Sequence, residues 1–197
     1  MKDEKSTYVI PVVRVVDTRV DLNFLQVQFR VEITQEEHFT EKGWDRVSFM
    51  ISMNPGEPMR PLSEIASGGE LSRIMLGIQS VMADSDEIGT LIFDEIDAGI
   101  SGRTAQAVSE KIYLVAREHQ VICITHLPQI AAMADEHFVI EKRSNQKETI
   151  TDVRRLDEQD SLGELARLLG SDALTEAALV NAREMRGQAL ESKKELR

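Results

Sequence analysis

Two short apolar runs, residues 90–93 and 121–125, end abruptly in residues that a core excludes: Asp94 and Glu95 after the first, His126 after the second. A brief, uninterrupted apolar run is what a strand covered on both faces requires. Between the two, Ala105, Val108, Ile112 and Val115 recur at helical spacing, so residues 101–118 are expected to form a helix with one apolar face. Strand, helix, strand is the crossover unit of a parallel sheet. The chain is therefore expected to be an α/β protein whose reactive groups gather at the carboxyl ends of its strands.

The flanking segments follow other rhythms. Residues 8–16 are β-branched and broken by Pro11, and Phe24, Val27, Phe29, Val31 and Ile33 largely alternate with polar residues, so both stretches are expected to be strands. The polar residues 34–43 read as a loop. Val47, Phe49 and Ile51 alternate again, and Asn54-Pro55-Gly56 is expected to turn the chain. After Glu70 the period changes: Leu71, Ile74, Met75, Ile78, Val81 and Met82 form a helical stripe. Pro128 can open a short helix through Met133. Residues 137–141 and 149–156 read as a strand pair around a polar turn at 144–147. Helices are expected over 162–169, stopped by Gly170, and over 175–193, with the charged end 191–197 fraying. No internal repeat or low-complexity tract is visible.

With 42% hydrophobic and 29% charged residues in a length of 197, the composition is that of one globular domain, or one with an appended piece. The formal net charge of −11 opposes a broad surface for nucleic-acid phosphates, so any DNA contact is expected from another part of the molecule or from a partner. The single cysteine, Cys123, has no cationic neighbour in sequence and reads as a structural thiol. No apolar stretch approaches the roughly 18 residues of a membrane span, and no signal peptide opens the sequence. A soluble cytoplasmic protein is expected.

Three groups carry candidate chemistry. Asp94 and Glu95 sit where a buried strand delivers them to the ligand edge of a sheet. The first could hold Mg²⁺ through its water shell and the second could orient and deprotonate an attacking water, although many strands end in solvated acids. Ser67-Gly68-Gly69-Glu70 directly precedes the amphipathic helix, so its backbone N–H groups could bind an anion; equally, Ser67 could be a plain helix cap. His126 follows the second buried strand and would share an edge with Glu95, within reach of a γ-phosphate. His38, His119 and His137 have no acid or cysteine spacing that suggests a metal site.

Taken together, the order resembles the signature motif, Walker B motif and switch histidine of ABC-type ATPases. The SMC-like branch fits best, because Asp94-Glu95-Ile96-Asp97 lacks the Pro-Thr-Ser that follows the acids in transporter subunits, and Glu70 replaces their signature glutamine. Asn54-Pro55-Gly56-Glu57, the run from Ile65 to Arg73, Asp97-Ala98-Gly99-Ile100-Ser101-Gly102, and the run from Thr125 to Asp135 narrow the resemblance to the RecN family of bacterial DNA-repair ATPases. It extends from about Gly43 to about Arg186.

That resemblance implies an α/β fold: the C-terminal lobe of an ABC/SMC-like ATPase head, a parallel-sheet P-loop NTPase core without its Walker A half, preceded by β-strands. Residues 1–42 would be N-terminal strands partly outside the family match, and 43–197 the lobe itself. It implies ATP and Mg²⁺ as cofactors. Ser67, Gly68, Gly69 and Glu70 would meet the γ-phosphate of ATP held by the opposite subunit. Asp94 would serve the metal, Glu95 would be the catalytic base and His126 the phosphate sensor. Asp97 to Ser101 would form the D-loop that crosses the dimer interface, although Ser101 stands where many ABC proteins have aspartate. The implied partners are an N-terminal Walker A lobe, a second head and, through the complete protein, DNA; association with the nucleoid would follow.

No Gly-Lys-Ser or Gly-Lys-Thr occurs in the chain and no heptad run appears. The chain is thus expected to be a truncation, a fragmentary reading frame or one part of a split protein, with negligible ATP turnover alone. A non-catalytic lobe that only pairs with a Walker A-bearing partner is the main alternative. A transporter ATPase subunit fits the residues after Glu95 poorly. A DExD-type helicase lobe leaves Ser67 to Glu70 without a role.

Overall fold

The structure, a computed structural model, describes residues 8–11, 28–41, 43–53, 56–65, 67–82, 87–144, 149–170 and 175–196. In chain order the elements are β1 (Tyr8–Pro11), β2 (Gln28–Thr40), β3 (Gly43–Ser52), β4 (Arg60–Pro61), α1 (Gly68–Met82), β5 (Thr90–Phe93), α2 (Gly102–Val115), β6 (Gln120–Cys123), α3 (Pro128–Met133), β7 (Phe138–Ser144), β8 (Thr149–Arg155), α4 (Glu158–Leu168) and α5 (Glu176–Glu195).

The crossover unit forms as expected. β5 and β6 pair in parallel, Thr90 opposite Gln120 and Phe93 opposite Cys123, with α2 connecting them. The ladder runs one bond further, from the Ile124 N–H to the Phe93 carbonyl at 3.0 Å. Phe93 points into a core with Ile74 and Leu76 of α1, Ala105, Val108 and Val115 of α2, Ile51 of β3 and Ile130 of α3. The opposite face of the pair leaves Ile92, Ile122 and Ile124 exposed.

The N-terminal strands form a separate antiparallel sheet in the order β1-β2-β3-β4. The loop expected over 34–43 is corrected here: β2 continues to Thr40 and closes a hairpin onto β3, with a register irregularity between Gln35 and Thr40. Its residues read as a loop because they are polar and largely exposed, while Thr34, Gln35 and Thr40 still pair across the hairpin with Arg46, Asp45 and Gly43. Any division between residues 42 and 43 therefore falls at the turn of one hairpin. The strand expected over 12–16, Phe24 and Val27, the Asn54-Pro55 step and most of the turn at 144–147 lie outside the described residues.

A second apolar cluster joins Ala131, Ala132 and Met133 of α3 to Leu165 and Ala166 of α4 and Ala178, Ala182 and Ala189 of α5. The short α3 thus serves both clusters, Ile130 in one and its neighbours in the other. Two expectations shift at this end. α4 begins at Glu158 rather than 162, because Asp157 caps it, accepting from the Asp160 N–H at 2.8 Å. The end of α5 does not fray before Glu195. Lys193 is buried, its Nζ 2.6 Å from Asp135 Oδ1 and 5.1 Å from the centre of the Tyr113 ring. Among the described residues no helix is long and apolar enough to cross a membrane.

Leu76 is fully buried between α1 and the β5 side of the core. Leu76→Ala is expected to destabilise the chain by about 2–5 kcal/mol, read as a lower urea midpoint at unchanged slope. Leu190→Ala, at an exposed position of α5, serves as the control. Equal midpoint losses in both variants would contradict this packing.

Candidate functional site

The start of α1 is built for close approach. Ser67 accepts from the Glu70 N–H through its Oγ at 3.4 Å, a long cap bond, and Ser67 and Gly68 are exposed. A Cβ on Gly68 would collide with Oε2 of Glu95, so only glycine lets that carboxylate lie over the helix start. A Cβ on Gly69 would stand 2.8 Å from both the Glu95 carbonyl oxygen and the Ala98 Cβ. The start of α1 and the segment after β5 are therefore packed against each other, backbone on backbone.

Side chains of α1 tighten the same contact. The Ser72 hydroxyl donates to the Asp94 carbonyl at 2.8 Å. Arg73, buried at 6% exposure, donates from one guanidinium nitrogen to the carbonyls of Ile96 at 3.1 Å and Ala98 at 2.8 Å. Burial lowers the Arg73 pKa from its ordinary value, opposed by the nearby charges of Glu70 and Asp97. Glu95 itself has a φ of 57°, a left-handed conformation uncommon for a residue with a side chain. Holding it there costs of order 1–3 kcal/mol, which the surrounding bonds must offset.

The third component is Asp97. Its carboxylate is buried, and Oδ2 accepts from the Thr125 hydroxyl at 2.6 Å and the His126 backbone N–H at 2.8 Å, with His126 Nδ1 in ion-pair contact at 2.9 Å. The Leu127 N–H donates in turn to the Thr125 hydroxyl oxygen at 3.0 Å. The segment after β5 and the segment after β6 are thereby joined through one oxygen atom. Close by, the Cys123 thiol is pushed up to about 12 by burial first and then by the carboxylates of Asp97 and Asp94, so at neutral pH it is an unreactive thiol.

All the residues singled out in the sequence except Ser101 meet within this arrangement. Asp94, Glu95 and His126 are exposed at its surface, Glu70 is half-buried and Gly69 is buried. Ser101 precedes α2 and is exposed with Ala98 and Gly99, whereas the side chain of Asp97 turns inward to the histidine segment. Ser72, Arg73 and Thr125 were given no role from sequence. Their signal was faint: polar residues on helix positions next to the apolar stripe, and a hydroxyl before the histidine. His119 is buried with Nδ1 2.6 Å from the Ile88 carbonyl oxygen, and His137 lies 2.9 Å from the Ser161 hydroxyl; neither joins the site. Among the described residues no three His, Cys, Asp or Glu side chains converge as a metal site.

The fold is similar to that of Smc head domains. It is similar to the Smc head domain with a coiled coil and joint from Pyrococcus yayanosii, at a TM-score of 0.53 and 20% identity, covering 79% of this chain and 28% of that one. The Pyrococcus furiosus Smc head, solved with the C-terminal domain of ScpA, gives 0.50 and 19% over 80% of this chain and 37% of that one. In sequence the chain is RecN-like. It is 46% identical over 155 residues to the DNA repair protein RecN of Bacillus subtilis, covering 79% of this chain and 27% of that protein. It is 41% identical over 166 residues to RecN of Vibrio cholerae, covering 84% and 30% respectively, and 44% identical over 170 residues to RecN of Treponema pallidum, covering 83% and 30%. The chain thus spans less than a third of the length of these relatives. No protein-family model matches it.

Gly69→Ala must push Ala98 and the Glu95 carbonyl apart, and is expected to destabilise the chain by about 1–3 kcal/mol. Gly187→Ala, in α5 with open space around it, should instead stabilise by up to about 1 kcal/mol. Thermal unfolding of the two variants checks the pair. A Gly69→Ala chain as stable as Gly187→Ala would contradict the close approach of α1 to the segment after β5.

Proposed function

We propose that this chain is the signature- and Walker B-bearing part of a RecN-like ATPase that acts in DNA double-strand break repair and recombination. What supports the reading most is one arrangement. The glycine helix start of α1, the carboxylates ending β5 and the histidine after β6 are bound into a single unit at one edge of the parallel pair.

The residues present fit one side of a site for Mg²⁺ and a nucleoside triphosphate. With no Cβ at Gly68 the helix start admits close approach, by the Glu95 carboxylate in this structure and by phosphate oxygens in its place, and Asp94, being exposed and without converging acids, suits a metal that keeps much of its water. When bound, Mg²⁺ supplies neutralisation of phosphate charge. Asp94 would hold the metal through its water shell. Glu95 orients the attacking water and takes its proton. His126 contacts the γ-phosphate oxygens through its ring. Ser67, Gly68, Gly69 and Glu70 present donors toward the nucleotide of a second head, and residues 97–101 run along that interface.

The Walker A loop belongs, in this reading, to another lobe. Both faces of a parallel sheet are ordinarily covered. The exposed Ile92, Ile122 and Ile124 mark the face where that lobe packs, within one head of a homodimer. DNA is engaged by other parts of the complete protein, in keeping with the net charge of −11 here. Residues 43–197 act as the lobe, with the preceding strands as its flanking sheet.

In the complete protein, Glu95→Gln should leave ATP binding intact while turnover falls by about 10²–10⁴, so that ATP-bound paired heads accumulate. Asp94→Asn should instead raise the Mg²⁺ concentration needed for turnover. Nucleotide-binding titrations and steady-state hydrolysis separate the two. Equal loss of ATP binding in both variants would overturn the division of roles.

A further inference from the structure

We propose that Asp97 is a positioning residue that fixes His126 in its Nδ1–H tautomer, so that Nε2 is the atom His126 brings to the reaction. The tautomer follows from the chain's own geometry; its consequence for hydrolysis rests on the function proposed above.

An ionised carboxylate has no hydrogen to give, so every neighbour within bonding distance of Asp97 Oδ2 must donate to it. Thr125 can do so only with its hydroxyl hydrogen, and its direction is set because the Leu127 N–H already occupies a lone pair of that oxygen at 3.0 Å. The His126 backbone N–H fills a second place at 2.8 Å. His126 Nδ1 stands 2.9 Å from the same oxygen as an ion-pair contact; a bare lone pair there would face the carboxylate's own, so the hydrogen belongs on Nδ1. Asp97 is only 4% exposed, and a charge removed from water has to be compensated by such donors and by the neighbouring Arg73. The two ends of the link differ sharply: the Asp97 side chain is 5% exposed and that of His126 72%. The buried partner is the fixed point and the exposed ring is what it orients.

With Nδ1 committed, Nε2 is an acceptor when the ring is neutral and a donor only when it is an imidazolium, with Asp97 as its counter-charge. His126 is therefore held in one tautomer and one ring orientation before any ligand arrives. Substitution of such an orienting partner commonly costs about ten- to a hundredfold in activity.

Long-range ¹H–¹⁵N correlation spectra of the labelled 197-residue chain read the tautomer directly. The neutral His126 ring is expected to carry its hydrogen on Nδ1. Asp97→Ala removes the acceptor, and is expected to shift the ring toward the Nε2–H form. Thr125→Val, which leaves the carboxylate in place, is expected to retain Nδ1–H. An Nε2–H ring in the parent chain, or an unchanged ring in a folded Asp97→Ala chain, overturns the proposal. If Asp97→Ala does not fold, the parent and Thr125→Val spectra decide it. In the complete protein, Asp97→Ala should lower kcat by about ten- to a hundredfold with little change in KM for ATP. If Glu95→Gln abolishes turnover and Asp97→Ala leaves it intact, the positioning role is wrong. If neither variant changes turnover, the functional reading itself has failed.

Discussion

A buried carboxylate oxygen with two donors and a histidine ring around it organises this molecule. Asp97 sits where the chain leaves β5, and the groups that satisfy it come from the segment after β6. Parallel strands are joined by backbone bonds only along their length, so the segments beyond their carboxyl ends would otherwise be free to diverge. Leaving that charge uncompensated costs several kcal/mol, and the fold avoids this only by holding Thr125 and His126 against it. Arg73 does the same from the other side, binding the carbonyls of Ile96 and Ala98 to α1. The reactive surface therefore rests on a polar frame beneath it.

This frame accounts for the strain above it. Glu95 adopts a left-handed backbone between a strand and a turn whose next residues, Ile96 and Asp97, are both buried. Anchored on both sides, it has no means of relaxing. Glycine at 68 and 69 then lets α1 approach the strained residue closely enough for Ser72 to reach the Asp94 carbonyl. Strain, close packing and buried charge thus coincide at the residues that the proposed chemistry requires, as expected where a structure holds groups for function rather than for stability alone.

The α/β centre was legible in the sequence because its strands are short unbroken apolar runs and its helices two-faced: Thr90–Phe93 and the stripe from Ala105 to Val115 admit one reading. The candidate residues could be singled out as a set, through order and type, and the structure brings most of them together. Hydrogen-bonding roles were not. Nothing local distinguishes Asp97 from Asp94, yet one is buried and one exposed, since that depends on which side of the turn each carboxylate leaves. Arg73 reads as an ordinary helix-surface residue until the segment it binds is folded beside it. The long β2 was misread from Thr34 onward because polarity marks exposure, and an exposed strand can still pair across a hairpin, as Thr34, Gln35 and Thr40 do. The end of α5 was misread because Lys193 finds Asp135 and Tyr113 from elsewhere in the chain.

The central claim is that this unit completes a nucleotide site belonging to a second head, and one mixing experiment addresses it directly. Complete protein carrying Ser67→Arg, which places a bulky cation at the exposed start of α1, is combined with complete protein lacking the Walker A lysine. In the heterodimer one shared site carries both lesions and the other carries none. The account predicts that the mixture regains ATP-dependent pairing and part of the hydrolysis that each parent lacks. A verified heterodimer as inactive as either parent in both measurements would contradict it.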